Sequence, residues 1–134
     1  MTTIPTGAVN HIALTVTDRD QSREFYTSLL GFQFIVEFGP KYLLSNNSVI
    51  LALNPAPDPA RAIANARFDE NRVGLDHVSF NVANHAELES AIKLFDERGI
   101  SHGEIKDLDG LGIYVLAFRD PDNIQVELTA PYAS

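Results

Sequence analysis

Two histidines and one glutamate are the residues of this chain best suited to chemistry. His11 stands in AVNHIALTV (residues 8–16) and His77 in GLDHVSFNV (residues 74–82). Laid over one another without a gap, 66 positions apart, the stretches pair Asn10 with Asp76, His11 with His77, Ile12 with Val78, Leu14 with Phe80 and Val16 with Val82. Near the C-terminus, Glu127 sits in IQVEL between Val126 and Leu128. A carboxylate in such a strand is costly to bury unless a cation, a polar network or water meets it. Two imidazoles and one carboxylate with open positions form a site for a divalent metal, with iron(II) the best-known occupant and zinc or manganese also suited. Either histidine alone reads first as a hydrogen-bonded wall residue. Their equivalent placement, together with the glutamate, makes His11, His77 and Glu127 a candidate metal set.

Strand alternation sorts each stretch into two faces. Ile12, Leu14 and Val16 oppose His11, Ala13 and Thr15, and Val78, Phe80 and Val82 oppose His77, Ser79 and Asn81. The bulky rows suit packing against a helix, and the small or polar rows suit a cavity wall. In IQVEL, Ile124, Val126 and Leu128 oppose Gln125 and Glu127.

The elements that position these faces repeat as well. A strand over Val9–Val16 is followed by SREFYTSLL, a helix capped by Asp18 or Asp20, with Phe25, Leu29 and Leu30 at helical spacing and Gly31 ending it. Strands are predicted over Phe32–Phe38, Tyr42–Leu44 and Val49–Leu53, with turns at Gly39-Pro40 and Asn46-Asn47. About twenty residues then form a linker with three prolines near its start, within which ARAIANAR has the composition of a short helix. The second half predicts a strand over Leu75–Val82 and a helix capped by Asn84, with Leu88, Ala91, Ile92 and Phe95 on one face and Gly99 at its end. Strands follow over His102–Lys106, Ile113–Phe118 and Ile124–Leu128, with DLDGLG and DPDN as turns. Each half reads β-α-β-β-β, and such a repeat usually means that neither half buries its apolar face alone.

The 134 residues suit one ordinary domain or two small halves. The formal net charge of -8 argues against nucleic acid and anionic membrane surfaces as partners. With no cysteine there is no disulfide and no thiolate chemistry, which fits a cytoplasmic protein. MTTIPTGAV has neither a basic n-region nor an apolar h-region, so no signal peptide is expected, and no apolar run reaches the roughly 18–20 residues that span a bilayer.

The doubled unit, NHIALTVTD followed by FYTSLLGF, DHVSFNV after the linker and FRDPDNIQVEL together resemble the vicinal oxygen chelate superfamily. That superfamily includes glyoxalase I, extradiol dioxygenases, fosfomycin-resistance enzymes, methylmalonyl-CoA epimerase and bleomycin-resistance proteins. The resemblance implies an α+β fold of two βαβββ repeats forming curved mixed sheets, the glyoxalase/bleomycin resistance/dioxygenase fold, with helices outside. It implies one domain over residues 1–134, with repeat one at about 8–54, a linker at about 55–74 and repeat two at about 75–130. In such proteins the metal is held on the first and last strands of each half, positions that match His11, His77 and Glu127. The remaining place matches Leu51, where glyoxalase I has a carboxylate or similar ligand, which puts lactoylglutathione lyase activity in doubt.

The three-ligand pattern resembles extradiol dioxygenases and fosfomycin-resistance enzymes. Extradiol enzymes add a tyrosine upstream of the glutamate, a place held here by Ala117 with Tyr114 nearby, and an acid/base histidine before the second ligand, where the linker has none. His85 follows that strand instead and reads as a surface residue. Fosfomycin enzymes gather cations for a phosphonate, for which Lys106 and Arg119 are the late-strand candidates. Arg61, Arg67 and Arg72 in the linker could meet an anion, although a solvated connector explains them more simply. Tyr42, Tyr114, Ser79 and Gln125 are the pocket candidates. The resemblance implies a metal-dependent enzyme acting on a small molecule that chelates through vicinal oxygens. Dioxygenase-like ligation stands ahead of lyase, isomerase or thiol-transferase activity, and a non-catalytic small-molecule binding protein is the competing class. Fe2+ is favoured, with Zn2+, Mn2+ or Ni2+ as alternatives, and a homodimer is expected.

Overall fold

The structure is a computed structural model that describes residues 2–132. The chain divides into two compact units, Met1–Ala64 and Asn65–Ser134. The first contains β1 (His11–Thr15), α1 (Arg19–Leu30), β2 (Gln33–Phe38), β3 (Lys41–Ser45) and β4 (Ile50–Asn54). Its sheet order is β1-β4-β3-β2, with β1 parallel to β4 and the other pairs antiparallel. Of the two possible caps, Asp18 serves: its carboxylate accepts from the backbone N–H groups of Asp20 and Gln21 at 3.0 and 3.1 Å. Gly31, at φ 72°, ends α1 in the left-handed turn that glycine adopts without strain.

The core stripe of α1 differs from the predicted one. Tyr26 is 1% exposed and shares the inner face with buried Ser22, whereas Phe25, Leu29 and Leu30 are only half-buried. The i,i+4 pair Ser22/Tyr26 faces the sheet, and the Tyr26 ring meets Phe32 edge-on at 6.2 Å. Pairing fixes which strand residues lie beneath α1. Ile12 is opposite Leu51 and Leu14 opposite Leu53, while Tyr42 is opposite Leu53 and Leu44 opposite Leu51. Leu44 and Leu53 are fully buried and Leu51 nearly so, each contributing about 1.5–3 kcal/mol.

The second unit repeats this plan with β5 (Val78–Asn81), α2 (His85–Arg98), β6 (Lys106–Leu108), β7 (Ile113–Arg119) and β8 (Gln125–Pro131), in the order β5-β8-β7-β6. Asn84 caps α2 by accepting from the Glu87 N–H at 3.1 Å. Leu88 and Phe95 are buried, and Phe95 stacks on Phe118 at 4.5 Å. DPDN is tied by Asp120, whose buried carboxylate accepts from the N–H groups of Asp122 and Ile124, both at 2.9 Å. That turn sets the register in which Ala117 opposes Glu127 and Arg119 opposes Gln125.

Two predicted elements are shorter than their sequence suggests. The strand over His102–Lys106 is a single bridge, His102 to Phe118, and regular pairing resumes only at Lys106. ARAIANAR does not form a helix. A 3-10 turn over Pro59–Arg61 starts under an Asp58 cap, and Asn65, at φ 55°, has a backbone that no right-handed helix can continue through. Among the described residues no helix is long and apolar enough to cross a membrane.

Candidate metal centre

In the second unit, His77 lies immediately before the ladder in which Val78 opposes Val126 and Ser79 opposes Glu127. That register makes His77 and Glu127 diagonal neighbours on the face away from α2. The His77 Nε2 atom is 3.4 Å from Glu127 Oε1. The other ring nitrogen, Nδ1, is 2.7 Å from an Asp76 carboxylate oxygen. A carboxylate can only accept, so Nδ1 carries a proton, and Nε2 is turned towards the Glu127 carboxylate. Gln125 braces this arrangement, its Nε2 donating to the Asp76 carboxylate at 3.1 Å and to the Asp76 carbonyl at 3.3 Å. One step along the same face, the Ser79 and Thr129 hydroxyls lie 2.5 Å apart.

In the first unit, His11 is exposed, and its Nδ1 lies 2.8 Å from the Asn10 side-chain oxygen. This is the same device with an amide in place of the carboxylate. His11 opposes Ile50, and Ala13 opposes Ala52. The position corresponding to Glu127 is therefore Ala52. Leu51, the position expected from the sequence, lies on the face beneath α1 at 2% exposure. Among the described residues, no group of three or more His, Cys, Asp or Glu side chains is gathered around one point.

A cleft of about 320 Å3 runs along this face of the second unit, lined by Glu127, Gln125, Ala117, Arg119, Lys106 and His102 among others. Its cations are not all free. The Arg119 guanidinium grips Glu70 with both Nη atoms, at 2.9 and 2.6 Å. That fork holds the Glu70 carboxyl well below the usual carboxylate range, at about 2. His102 Nε2 is 2.7 Å from an Asp96 carboxylate oxygen, and Nδ1 is 2.6 Å from the Gly103 carbonyl. Both partners are acceptors, so the ring is fully satisfied only as the imidazolium, and Asp96, then the Gly103 carbonyl, raise its pKa.

Of the four pocket candidates, Ser79 and Gln125 share the His77 face, and the tyrosines do not. Tyr42 donates to Asp20 on α1 at 2.7 Å and packs edge-on against Phe34. Tyr114 lies against His85 on α2 at 4.7 Å and against Tyr132 at 4.8 Å. Both tyrosines belong to the helix-facing side of their sheets because their cross-strand partners do. His85 is also bonded to Glu89, one turn along α2. Arg67 and Arg72 line a separate hollow of about 200 Å3 within the strap that precedes His77. The roles of Asp76, Glu70 and His102 were missed from the sequence. Only the first left a signal, the Asn10/Asp76 pairing ahead of each histidine.

A family model described as the Glyoxalase/Bleomycin resistance protein/Dioxygenase superfamily matches residues 8–128. The uncharacterized protein YwkD of Bacillus subtilis (strain 168) is 31% identical over 128 residues, covering 90% of this chain and 94% of that protein. The crystal structure of a glyoxylase/bleomycin resistance protein/dioxygenase domain from Frankia sp. EAN1pec superposes with a TM-score of 0.77 at 27% identity, covering 95% of this chain and 93% of that one. A lactoylglutathione lyase from Agrobacterium tumefaciens shares the fold, with a TM-score of 0.73 at 24% identity over 95% and 96% of the two chains. With its doubled βαβββ plan and one helix packed against each sheet, the chain belongs to the glyoxalase/bleomycin resistance protein/dioxygenase superfamily.

Proposed function

We propose that this protein is a metal-dependent enzyme acting on a small substrate with two vicinal oxygens, its ion held by His77, Glu127 and His11. The carrying observation is the pair His77 Nε2 and Glu127 Oε1 at 3.4 Å. With the proton on Nδ1, the ring and the carboxylate turn two lone pairs towards one point, an arrangement that a shared cation would satisfy. The separation is of the size at which two donors could share one ion. His11 carries the same tautomer device at the equivalent place in its repeat, which makes it the third ligand, from the same chain or from a second copy in a homodimer. Iron(II) is the first choice for a two-histidine, one-carboxylate set, with zinc, manganese or nickel as alternatives.

When bound, such an ion supplies Lewis-acid stabilisation of a developing oxyanion, worth several kcal/mol. The chain's own groups orient the reaction. Asp76 and Gln125 fix the His77 ring, and Ala117 leaves room opposite Glu127. The Ser79/Thr129 pair uses one hydroxyl hydrogen internally and leaves the other for a substrate oxygen. Alanine at position 52 supports three protein ligands, as in dioxygenase-like sites, over four.

The test is metal affinity of the purified protein against His77→Ala, Glu127→Ala and His11→Ala, followed by turnover of catechols and of glutathione hemithioacetals. Each variant should lose about 100-fold or more in affinity. Wild-type affinity in both His77→Ala and Glu127→Ala would overturn the assignment.

A further inference from the structure

The pairing of Arg119 with Glu70 has a consequence for what the cleft accepts. On β7, Val115, Ala117 and Arg119 share the cleft face. Ala117 is directly opposite Glu127, so Arg119 is diagonal to it, a separation of about 7–8 Å between such backbone positions. A substrate seated at Glu127 is therefore within a short side group of the guanidinium. Glu70 occupies that guanidinium now. It arrives on a strap fastened independently of it: the Phe68 N–H donates to the Asp122 carbonyl at 2.9 Å, and the Asn123 amide donates to the Phe68 carbonyl at 3.0 Å. The strap holds without the ion pair, so the Glu70 side chain can swing away while its backbone stays in place.

The pair is also reachable from the cleft. Both side chains are about a quarter exposed, 27% for Arg119 and 26% for Glu70. Water reaches both side chains, so an incoming carboxylate can replace Glu70 bond for bond. The geometry shows what the fork is shaped to hold: two parallel N–H bonds, one to each oxygen of a carboxylate.

We propose that Arg119 is the specificity-determining residue of the cleft, recognising a carboxylate on the substrate, and that Glu70 is an internal competitor which that carboxylate displaces. This rests on the reading of the cleft as the substrate site. The ligand class is a small organic acid whose carboxylate reaches Arg119 while its other oxygens reach the Glu127 end.

The exchange is testable without metal. Benzoate is titrated into chelator-treated protein, with benzamide as the neutral isostere, and binding is followed by calorimetry and by the Arg119 guanidinium NMR signals. A carboxylate tethered beside its partner acts at a high effective concentration. Glu70→Gln should therefore bind benzoate about tenfold or more tightly than the wild type, with benzamide unaffected. Arg119→Lys in the Glu70→Gln background, which keeps the charge and removes the fork, should lose that gain. Equal benzoate affinity in wild type and Glu70→Gln, absent binding in both, or a gain that survives Arg119→Lys would each overturn the proposal. Because no metal is present, failure of the metal assignment leaves these outcomes unchanged, and their failure leaves the metal assignment standing.

Discussion

In the first unit His11 opposes Ile50 and lies diagonal to Ala52, whereas in the second His77 stands beside Gln125 and diagonal to Glu127. The helix-facing rows are alike in the two units, built of leucine, valine and aromatic residues around Tyr26 and Phe95. The opposite rows are not. Ala13, Leu43 and Ala52 share the His11 face, and Ser79, Thr129 and Glu127 share the His77 face. Folding constrains most strongly the face that an α-helix must cover. Both rows carry a histidine with its tautomer-fixing neighbour and further polar groups, Thr15 and Asn54 in the first, but only the second sets a carboxylate diagonal to the histidine.

The largest effect should come from position 51. Leu51→Glu puts an unpaired carboxylate beneath α1 and is expected to cost about 4 kcal/mol or more, read as loss of the cooperative urea transition. Ala52→Glu, one residue along, points to the opposite face, where Ala52 is itself 5% exposed, and should cost less stability than Leu51→Glu and bind divalent metal about tenfold more tightly. Equal behaviour of the two variants would break the register correspondence between the units.

Next is the difference between the two histidine supports. Asp76→Ala removes a charged acceptor that Gln125 also braces, and should weaken metal binding by about 10–100-fold. Asn10→Ala removes an unbraced amide and should weaken it less. The reverse order, measured by competition with a chromogenic chelator, would reverse the assignment of the stronger ligand.

The smallest effect is a slope with pH. His102 is clamped as an imidazolium between Asp96 and the Gly103 carbonyl, with Glu104, Lys106 and Arg119 along the same cleft. Its folded pKa is raised, so its contribution is fully present below the unfolded value of about 6.5 and is lost as pH rises through the folded value. The urea midpoint of the metal-free wild type relative to His102→Gln should therefore fall as pH increases above about 6.5. The first unit, whose only histidine is His11, holds no such clamp.

Much of this was legible in the sequence, because the alternating rows around His11 and His77 have only one phase that buries the apolar side. The phase of β4 was not. Val49 to Leu53 is apolar at every position, so a period of two cannot decide between Leu51 and Ala52. Only pairing with β1 and β3 does so. IYVLAF is ambiguous in the same way, and Tyr114 goes to the helix side because its partner Ala130 does. The Glu70–Arg119 contact joins positions 49 apart in sequence and has no local signature.

The parallel ladder between β5 and β8 has a kinetic consequence. Val78 and Val126 are 48 positions apart, whereas β7 and β8 meet across a tight turn. Loop-closure entropy makes the short-range hairpin quick to form and the long-range parallel pairing slow. His77 adjoins β5 and Glu127 lies on β8, the two strands expected to pair last, so the donor pair should come into being only with the final closure of the unit. Partly folded chains then expose the two side chains apart from one another, and a metal ion cannot be captured between them before that closure.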